Sequence, residues 1–159
     1  MTVPTPETKT HSRPTLDAAT QQTLLDRARD VAQRAYVPYS NFPVGAAALT
    51  ADGSIFAGAN VENASYGLTI CGERSAVAAL VSAGHRDIVA IAVSAPRVPL
   101  TTPCGACRQV LNEFRPVTDD MIVILDDRAS GRSIPLGELL PKAFGPRNLE
   151  GEGQQEGTG

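Results

Sequence analysis

Three cysteines constrain the fold of this chain more than any other feature. Cys71 begins the segment Cys-Gly-Glu, and Cys104 and Cys107 lie further along the chain in the segment Pro-Cys-Gly-Ala-Cys. Three thiolates can hold one zinc ion and leave the fourth tetrahedral position open for water, whereas structural zinc is normally closed by four protein ligands. The sequence therefore predicts a fold that brings the two segments together around one open zinc site.

Glu73 lies two residues after the first predicted ligand. A carboxylate so close to the metal can exchange protons with a water on the open position, so we interpret Glu73 as the general acid–base of a reaction. The helix dipole alone also favours a glutamate in the first turn of a helix. The short spacing from Cys71 makes the catalytic role the better interpretation.

The composition fits one globular domain. A chain of 159 residues can bury most of the surface of its unfolded form, and we expect a single catalytic domain over residues 15–148 between flexible tails at 1–14 and 149–159. The N-terminal tail contains no apolar signal segment, and no apolar run is long enough to cross a bilayer. All three cysteines belong to one motif, which predicts a reducing, cytoplasmic location.

The charge pattern points away from nucleic acids. The net charge is -3, and lysine and arginine form no cluster along the chain, whereas nucleic-acid-binding proteins usually carry a basic face. We therefore expect a small neutral or cationic ligand.

Hydrophobic periodicity and turn residues predict helices that alternate with strands. Asp52 and Gly53 form a hairpin signal between the first two strands. The order of elements predicts an α/β fold, a three-layer α-β-α sandwich whose mixed five-stranded sheet has helices on both faces. Both cysteine motifs then begin helices, where the helix dipole stabilises negative thiolates. The predicted helices are 16–36, 71–83, 104–114 and 137–144, and the predicted strands are 44–49, 55–60, 88–94, 121–125 and 132–136.

Four motifs in this order resemble the small homotetrameric cytidine deaminases. The paired cysteine segments at 71–73 and 103–107 match the signature of zinc-dependent nucleoside and nucleobase deaminases. The segment VPYSNFPVGA at 37–46 resembles the substrate strand of the cytidine deaminases. NVENASY at 60–66 resembles their ribose-binding segment, and LLPKAF at 139–144 resembles their C-terminal motif.

The resemblance implies a reaction and an assembly. It implies hydrolytic deamination of cytidine and 2′-deoxycytidine by zinc-bound hydroxide, with release of ammonia, in pyrimidine salvage. In the family pattern Cys71, Cys104 and Cys107 bind one zinc ion per subunit, while Glu73 moves protons from water to ring nitrogen N3 and to the leaving amine. The resemblance also implies a cytosolic homotetramer with active sites completed across subunit interfaces.

The resemblance further assigns substrate contacts. Asn60 and Glu62 resemble the pair that binds the ribose and polar atoms of the base, and Glu62 disfavours a 5′-phosphorylated ligand. Phe42 resembles the aromatic residue that packs against the pyrimidine, and Phe144 resembles one that enters a neighbouring subunit's site. Ordinary core packing is the alternative for both phenylalanines. The other predicted contacts in these motifs are Val61, Tyr66 and Gly72.

Three residues refine this interpretation. We expect Arg74 to donate hydrogen bonds to thiolate sulfur, which would offset the negative charge of three thiolates; a solvated arginine at a helix start is the alternative. Gly72 occupies a position that is often alanine in the family, and we expect a looser backbone there. Cys71 stands where many nucleotide and nucleic-acid deaminases have histidine, which favours the nucleoside branch.

The cysteine motifs also fit three other kinds of protein. A thioredoxin-like C-x-x-C motif leaves Cys71 and Glu73 without a role. A structural zinc site closed by His85 requires that side chain to reach the metal across roughly 18 Å of helix. A deaminase of another aminopyrimidine nucleoside, such as blasticidin S, would use the same zinc chemistry and stays open.

Overall fold

The computed structural model describes residues 16–116 and 119–149. The predicted tails at 1–14 and 149–159 lie outside these residues, apart from Leu149. The helices are α1 (Ala18–Ala32), α2 (Gly72–Ser82), α3 (Gly105–Glu113) and α4 (Leu136–Leu139), and the strands are β1 (Gly45–Leu49), β2 (Ile55–Ala59), β3 (Ala90–Ser94), β4 (Ile122–Leu125) and β5 (Arg132–Pro135).

The strands form one mixed sheet in the order β2-β1-β3-β4-β5. β1 runs antiparallel to β2 and β3, β3 runs parallel to β4, and β5 runs antiparallel to β4. Because side chains alternate along a strand, the sheet buries two separate apolar clusters. One cluster packs against α1, and the other packs against α2, α3 and α4. The predicted mixed five-stranded sheet with helices on both faces is confirmed.

Two glycines let helices approach the sheet very closely. A Cβ atom added to Gly45 in β1 would lie 2.1 Å from the carbonyl oxygen of Ala28 in α1. A Cβ atom added to Gly58 in β2 would lie 2.3 Å from the backbone nitrogen of Ala76 in α2. Both neighbours are main-chain atoms, so each glycine sets the distance between a helix and the sheet.

Two predicted helices extend four or five residues beyond the C-terminal ends of the observed ones. α1 ends at Ala32 rather than at Tyr36, because the backbone of Tyr36 donates to Asn60 and accepts from Glu62 across an isolated β-bridge. α4 covers only Leu136–Leu139, because the residue before Pro141 is driven out of the helical conformation. Among the described residues, no helix has the length and apolar character needed to cross a membrane.

Candidate metal centre and substrate pocket

The three cysteines converge where two helices begin. Cys71 is the N-cap residue of α2, Cys104 is the N-cap residue of α3, and Cys107 lies in the first turn of α3. The three sulfur atoms all lie within 4.8 Å of one another, and the Sγ atoms of Cys71 and Cys104 are 3.8 Å apart. Tetrahedral zinc with Zn–S bonds of about 2.3 Å separates its sulfur ligands by about 3.8 Å. The donor set and its spacing therefore fit one zinc ion with one position left for a non-protein ligand.

The thiol groups of Cys71 and Cys107 shift each other's pKa in opposite directions. Hydrogen bonding with Cys107, helped by Arg74, lowers the pKa of Cys71 to about 5. The same hydrogen bonding and burial raise the pKa of Cys107 above its ordinary value. A bound dication favours deprotonation of all its thiol ligands.

Arg74 lies beside the sulfur cluster. Its Nη2 atom donates to the carbonyl oxygen of Thr69 at 2.9 Å and lies 3.8 Å from Cys71 Sγ. The contact with the Cys71 thiolate raises the pKa of Arg74, so the guanidinium stays charged. This geometry suits an arginine that withdraws charge from the thiolates. It differs from the alternative, in which Arg74 would be a solvated arginine at the start of a helix.

Glu73 is buried in the first turn of α2, with 4% of its surface exposed. Burial raises the pKa of this carboxyl group, and the charge of Cys71 raises it further. A buried carboxyl group with a raised pKa next to a metal site is typical of a general acid–base.

Asn60 organises the predicted substrate strand. Its Oδ1 atom accepts from the backbone N–H of Val44 at 2.8 Å, and its Nδ2 atom donates to the carbonyl oxygen of Phe42 at 2.9 Å. The side chain of Phe42 is half-buried. The amide of Asn60 carries a second N–H, which leaves one donor for a ligand.

Glu62 lies in an open pocket of about 390 Å³. Its Oε2 atom accepts from the backbone N–H groups of Tyr39 at 2.9 Å and Ser40 at 3.2 Å. Hydrogen bonding from Ser40 lowers the pKa of Glu62, so the carboxylate is negative and suited to accept from hydroxyl groups. The pocket lining is Tyr39, Ser40, Glu62, Tyr66 and Thr69.

The pocket and the sulfur cluster are neighbours. Thr69 lines the pocket, and its carbonyl oxygen binds Arg74, which in turn contacts Cys71. The rings of Tyr39 and Tyr66 meet edge to face with centroids 5.9 Å apart. A pocket of this size falls within the range of small-molecule sites.

The other predicted substrate contacts differ in how far they are exposed. Val61 is exposed and bridges Tyr36 and Ile70, and Phe144 is 60% exposed and lies outside the core of its own subunit. Gly72 is buried, and a Cβ atom there would lie 2.9 Å from the carbonyl oxygen of Val44. Glycine at this position allows close packing against the backbone of Val44.

Sequence reasoning missed Arg108, which directly follows a metal ligand. Its guanidinium donates to the carbonyl oxygens of Pro103 at 2.7 Å and Leu139 at 2.8 Å, and to Thr102 Oγ1 at 3.0 Å. It therefore ties the loop before Cys104 to the C-terminal motif. The position of Arg108 directly after Cys107 could have drawn attention to it. The sequence does not indicate its hydrogen-bond partners, because the tertiary fold brings them together.

His85 lies away from the cysteines. Its ring packs against Phe56 with centroids 5.0 Å apart, and its Nδ1 atom is 3.6 Å from a carboxylate oxygen of Asp52. Within residues 16–116 and 119–149, the cluster that could hold a metal consists of the three cysteines. The structural zinc site closed by His85 is therefore wrong.

Comparison with known proteins identifies the family to which the chain belongs. A family model described as the cytidine and deoxycytidylate deaminase zinc-binding region matches residues 18–124, and the chain belongs to this family. The predicted zinc-dependent deaminase is confirmed, and the redox interpretation is not supported.

The named relatives match over most of their length. A cytidine deaminase from Halalkalibacterium halodurans is 49% identical over 124 residues, which cover 78% of this chain and 93% of the relative. A cytidine deaminase from Mycobacterium tuberculosis is 45% identical over 129 residues, covering 81% and 92%.

The fold also matches solved structures of cytidine deaminases. The crystal structure of cytidine deaminase from Burkholderia pseudomallei has a TM-score of 0.71 and 44% identity, and the match covers 77% of this chain and 98% of that one. The structure from Mycobacterium tuberculosis has a TM-score of 0.68 and 45% identity, covering 78% and 96%.

Proposed function

We propose that this chain catalyses the hydrolytic deamination of cytidine and 2′-deoxycytidine to uridine and 2′-deoxyuridine, with release of ammonia. The observation that carries the proposal is a buried Glu73 beside three cysteines whose geometry fits zinc with one open position. Relatives at 45–49% identity are named cytidine deaminase, which favours cytidine over blasticidin S. The same reaction would serve pyrimidine salvage.

Cys71, Cys104 and Cys107 would hold one zinc ion per subunit. When bound, zinc supplies Lewis acidity that makes water a nucleophile near neutral pH. Arg74 offsets part of the negative charge that three thiolates bring, through its contact with Cys71. The first turns of α2 and α3 add the positive ends of two helix dipoles to the same site.

Glu73 carries both protons of the attacking water in this reaction. Water adds at C4 of the base, and Glu73 takes the proton from that water and delivers it to N3. Glu73 then takes the second proton from the new C4 hydroxyl group and transfers it to the amine, so that the C4–N4 bond breaks, a C4 carbonyl forms and ammonia departs. Burial keeps the pKa of Glu73 raised, so the carboxyl group can both accept and return the proton.

Asn60 and Glu62 bind the ribose in this proposal. The Glu62 carboxylate faces the open pocket and can accept from sugar hydroxyls, and Asn60 offers its second amide N–H. A negative carboxylate at the sugar disfavours a 5′-phosphate, so we propose free nucleosides as substrates. Phe42 packs against the pyrimidine, while Val61, Tyr66 and Gly72 shape the pocket around it.

We propose a cytoplasmic homotetramer whose Phe144 enters a neighbouring subunit's site. Six large apolar or aromatic side chains at or near the pocket are exposed in the isolated subunit, which supports an interface there. Metal-ligating thiols must stay reduced, which supports a cytoplasmic location. These exposed residues are Tyr36, Tyr39, Val61, Tyr66, Leu68 and Ile70.

Loss of the cytidine absorbance band tests the proposal directly. The purified protein should convert cytidine and release ammonia, and removal of zinc by a chelator should abolish the reaction. Glu73→Ala should keep one zinc per chain and lose about 10²–10⁴-fold in kcat, whereas Glu113→Ala, at an exposed position on α3, should not change it.

Two results would contradict the proposal. Zinc at one per chain without turnover of cytidine or deoxycytidine would assign the site to another aminopyrimidine. Full turnover by Glu73→Ala would remove Glu73 from the chemistry.

A further inference from the structure

We infer that Gln109 and Asn112 are positioning residues for Phe144. They hold the main-chain carbonyl of Phe144 against α3 and so set where its exposed ring is presented. The catalytic consequence rests on the proposed function, in which that ring enters a neighbouring site, but the positioning itself can be tested without turnover.

Two side chains converge on a single carbonyl group. Gln109 Nε2 donates to the carbonyl oxygen of Phe144 at 2.9 Å, and Asn112 Nδ2 donates to the same oxygen at 3.1 Å. The two residues are three apart on α3 and therefore share one helix face. A carbonyl oxygen has two lone pairs, so these two amides saturate it.

The burial pattern separates the backbone of Phe144 from its ring. Asn112 is only 9% exposed, although asparagine is a poor helix former and a buried amide is costly unless it is hydrogen-bonded. Phe144 as a whole residue is 60% exposed. Packing of the phenylalanine into its own core would bury the ring. Here the backbone is fixed and the ring points outward, as suits contact with another molecule.

Gly145 gives independent support for a close fit at this place. A Cβ atom there would lie 2.7 Å from Asn112 Nδ2. The φ angle of Gly145 is -161°, an extended value that any residue adopts, so the missing side chain serves the contact with Asn112. The backbone N–H of Gly145 also donates to Asn148 Oδ1 at 2.8 Å.

α3 also carries two of the metal ligands, Cys104 and Cys107. Because Gln109 and Asn112 belong to the same rigid helix, the position of Phe144 is set relative to the metal centre of its own subunit. In an assembly, that relation sets how the ring of one subunit meets the next. Loss of the two amides should therefore weaken substrate binding and leave the chemical step unchanged.

A tryptophan reporter tests the positioning directly. The chain contains no tryptophan, so Phe144→Trp places one emitter at the ring position. Added Gln109→Leu or Asn112→Leu should lower its fluorescence anisotropy and increase acrylamide quenching about 2-fold, whereas added Glu113→Ala should change neither. Equal anisotropy and quenching in all four proteins would overturn the inference, whatever the activity.

Kinetics then separate positioning from a structural role. Gln109→Leu should raise KM for cytidine about 2- to 12-fold, the usual effect of one hydrogen bond, with kcat and zinc content unchanged. Gln109→Glu keeps the shape but loses the donor, so it should match Gln109→Leu. Wild-type KM in Gln109→Glu would show that packing alone matters, and a joint fall in kcat and zinc would show a structural role; either result overturns the inference.

A failure of the proposed function looks different from a failure of the inference. If the unmodified protein binds zinc but does not convert cytidine, the substrate proposal fails. The reporter experiment still decides whether Gln109 and Asn112 hold Phe144. Because Gln109 is exposed, its variants are expected to fold even if replacement of the buried Asn112 destabilises the protein.

Discussion

Gly58 in β2 controls where the helix that carries Cys71 and Glu73 rests on the sheet. A Cβ atom at Gly58 would lie 2.3 Å from the backbone nitrogen of Ala76 and 2.6 Å from the backbone carbon of Ser75. Both are main-chain atoms of α2 and cannot rotate away as a flexible side chain would. Gly58→Ala therefore requires α2 to move as a unit or the core around it to rearrange.

The structure gives the size of the movement. Ordinary contacts of a Cβ atom begin at 3.4 Å, so α2 must shift by about 1.1 Å. Overpacking of this kind costs about 1–3 kcal/mol of stability. The shift would also move Cys71 and Glu73 away from their positions relative to Cys104 and Cys107. Metal–ligand distances tolerate a change of only about 0.2 Å. We therefore expect Gly58→Ala to impair the metal site as well as the fold.

Gly105→Ala is a matched control beside the same metal site. Gly105 follows Cys104 at the start of α3, and a Cβ atom there would meet nothing within 4 Å. Thermal unfolding and zinc analysis should show Gly58→Ala with a Tm lower by about 2–12 °C and with less than one zinc per chain. Its kcat/KM for cytidine should fall about 10²-fold, as expected for catalytic groups misplaced by about 1 Å. Gly105→Ala should match the wild type in all three measurements.

Two outcomes would refute this reasoning. A Gly58→Ala protein with wild-type Tm and one zinc per chain would show that α2 is not set by contact with Gly58. Equal losses in Gly58→Ala and Gly105→Ala would show that any added methyl group near the site is harmful, and that the main-chain contact has no special role.

Two further predictions concern charged groups. Arg74→Gln should lower kcat more than it lowers zinc affinity, because Arg74 contacts the Cys71 thiolate; kcat and competition with a chelator measure the two, and an unchanged kcat contradicts this role. Hydrogen bonding from Arg29 lowers the pKa of Asp126, which is 7% exposed, to about 2. Because the folded pKa lies below the unfolded value of about 3.9, the carboxylate contributes about 2 kcal/mol above pH 4, and this is lost as the pH falls towards 2. Urea unfolding with a chelator present should show the difference between wild type and Asp126→Asn shrinking over that range, and a constant difference would refute it.

Local patterns predicted the elements and the metal centre well. The turn at Asp52 and Gly53 joins β1 to β2 as expected, and both cysteine motifs begin helices. These features depend on residues close together in the sequence, where periodicity and turn chemistry act directly. The convergence of Cys71 with Cys104 was also predictable, because the three cysteines can bind one zinc ion only if the fold brings them together.

The contacts that support the site were not predictable in the same way. Arg108 has one partner, Leu139, that lies more than 30 residues away, and so does Gln109 in Phe144, so no local pattern indicates these two contacts. The end of α1 was wrong for a similar reason. The backbone of Tyr36 is drawn into a bridge with the segment around Val61, and that tertiary pairing overrides the helical periodicity of the sequence.

The two helices of the metal centre are held in place by different means. α2 is located by the missing side chain of Gly58, which lets its backbone rest directly on β2. α3 is located by donors, since Arg108 binds the loop before Cys104 and the C-terminal motif at once. A steric contact resists compression only, whereas hydrogen bonds resist separation. Substitution at Gly58 should therefore displace Cys71 and Glu73 together, while loss of the α3 donors should release the C-terminal motif and leave Glu73 in place.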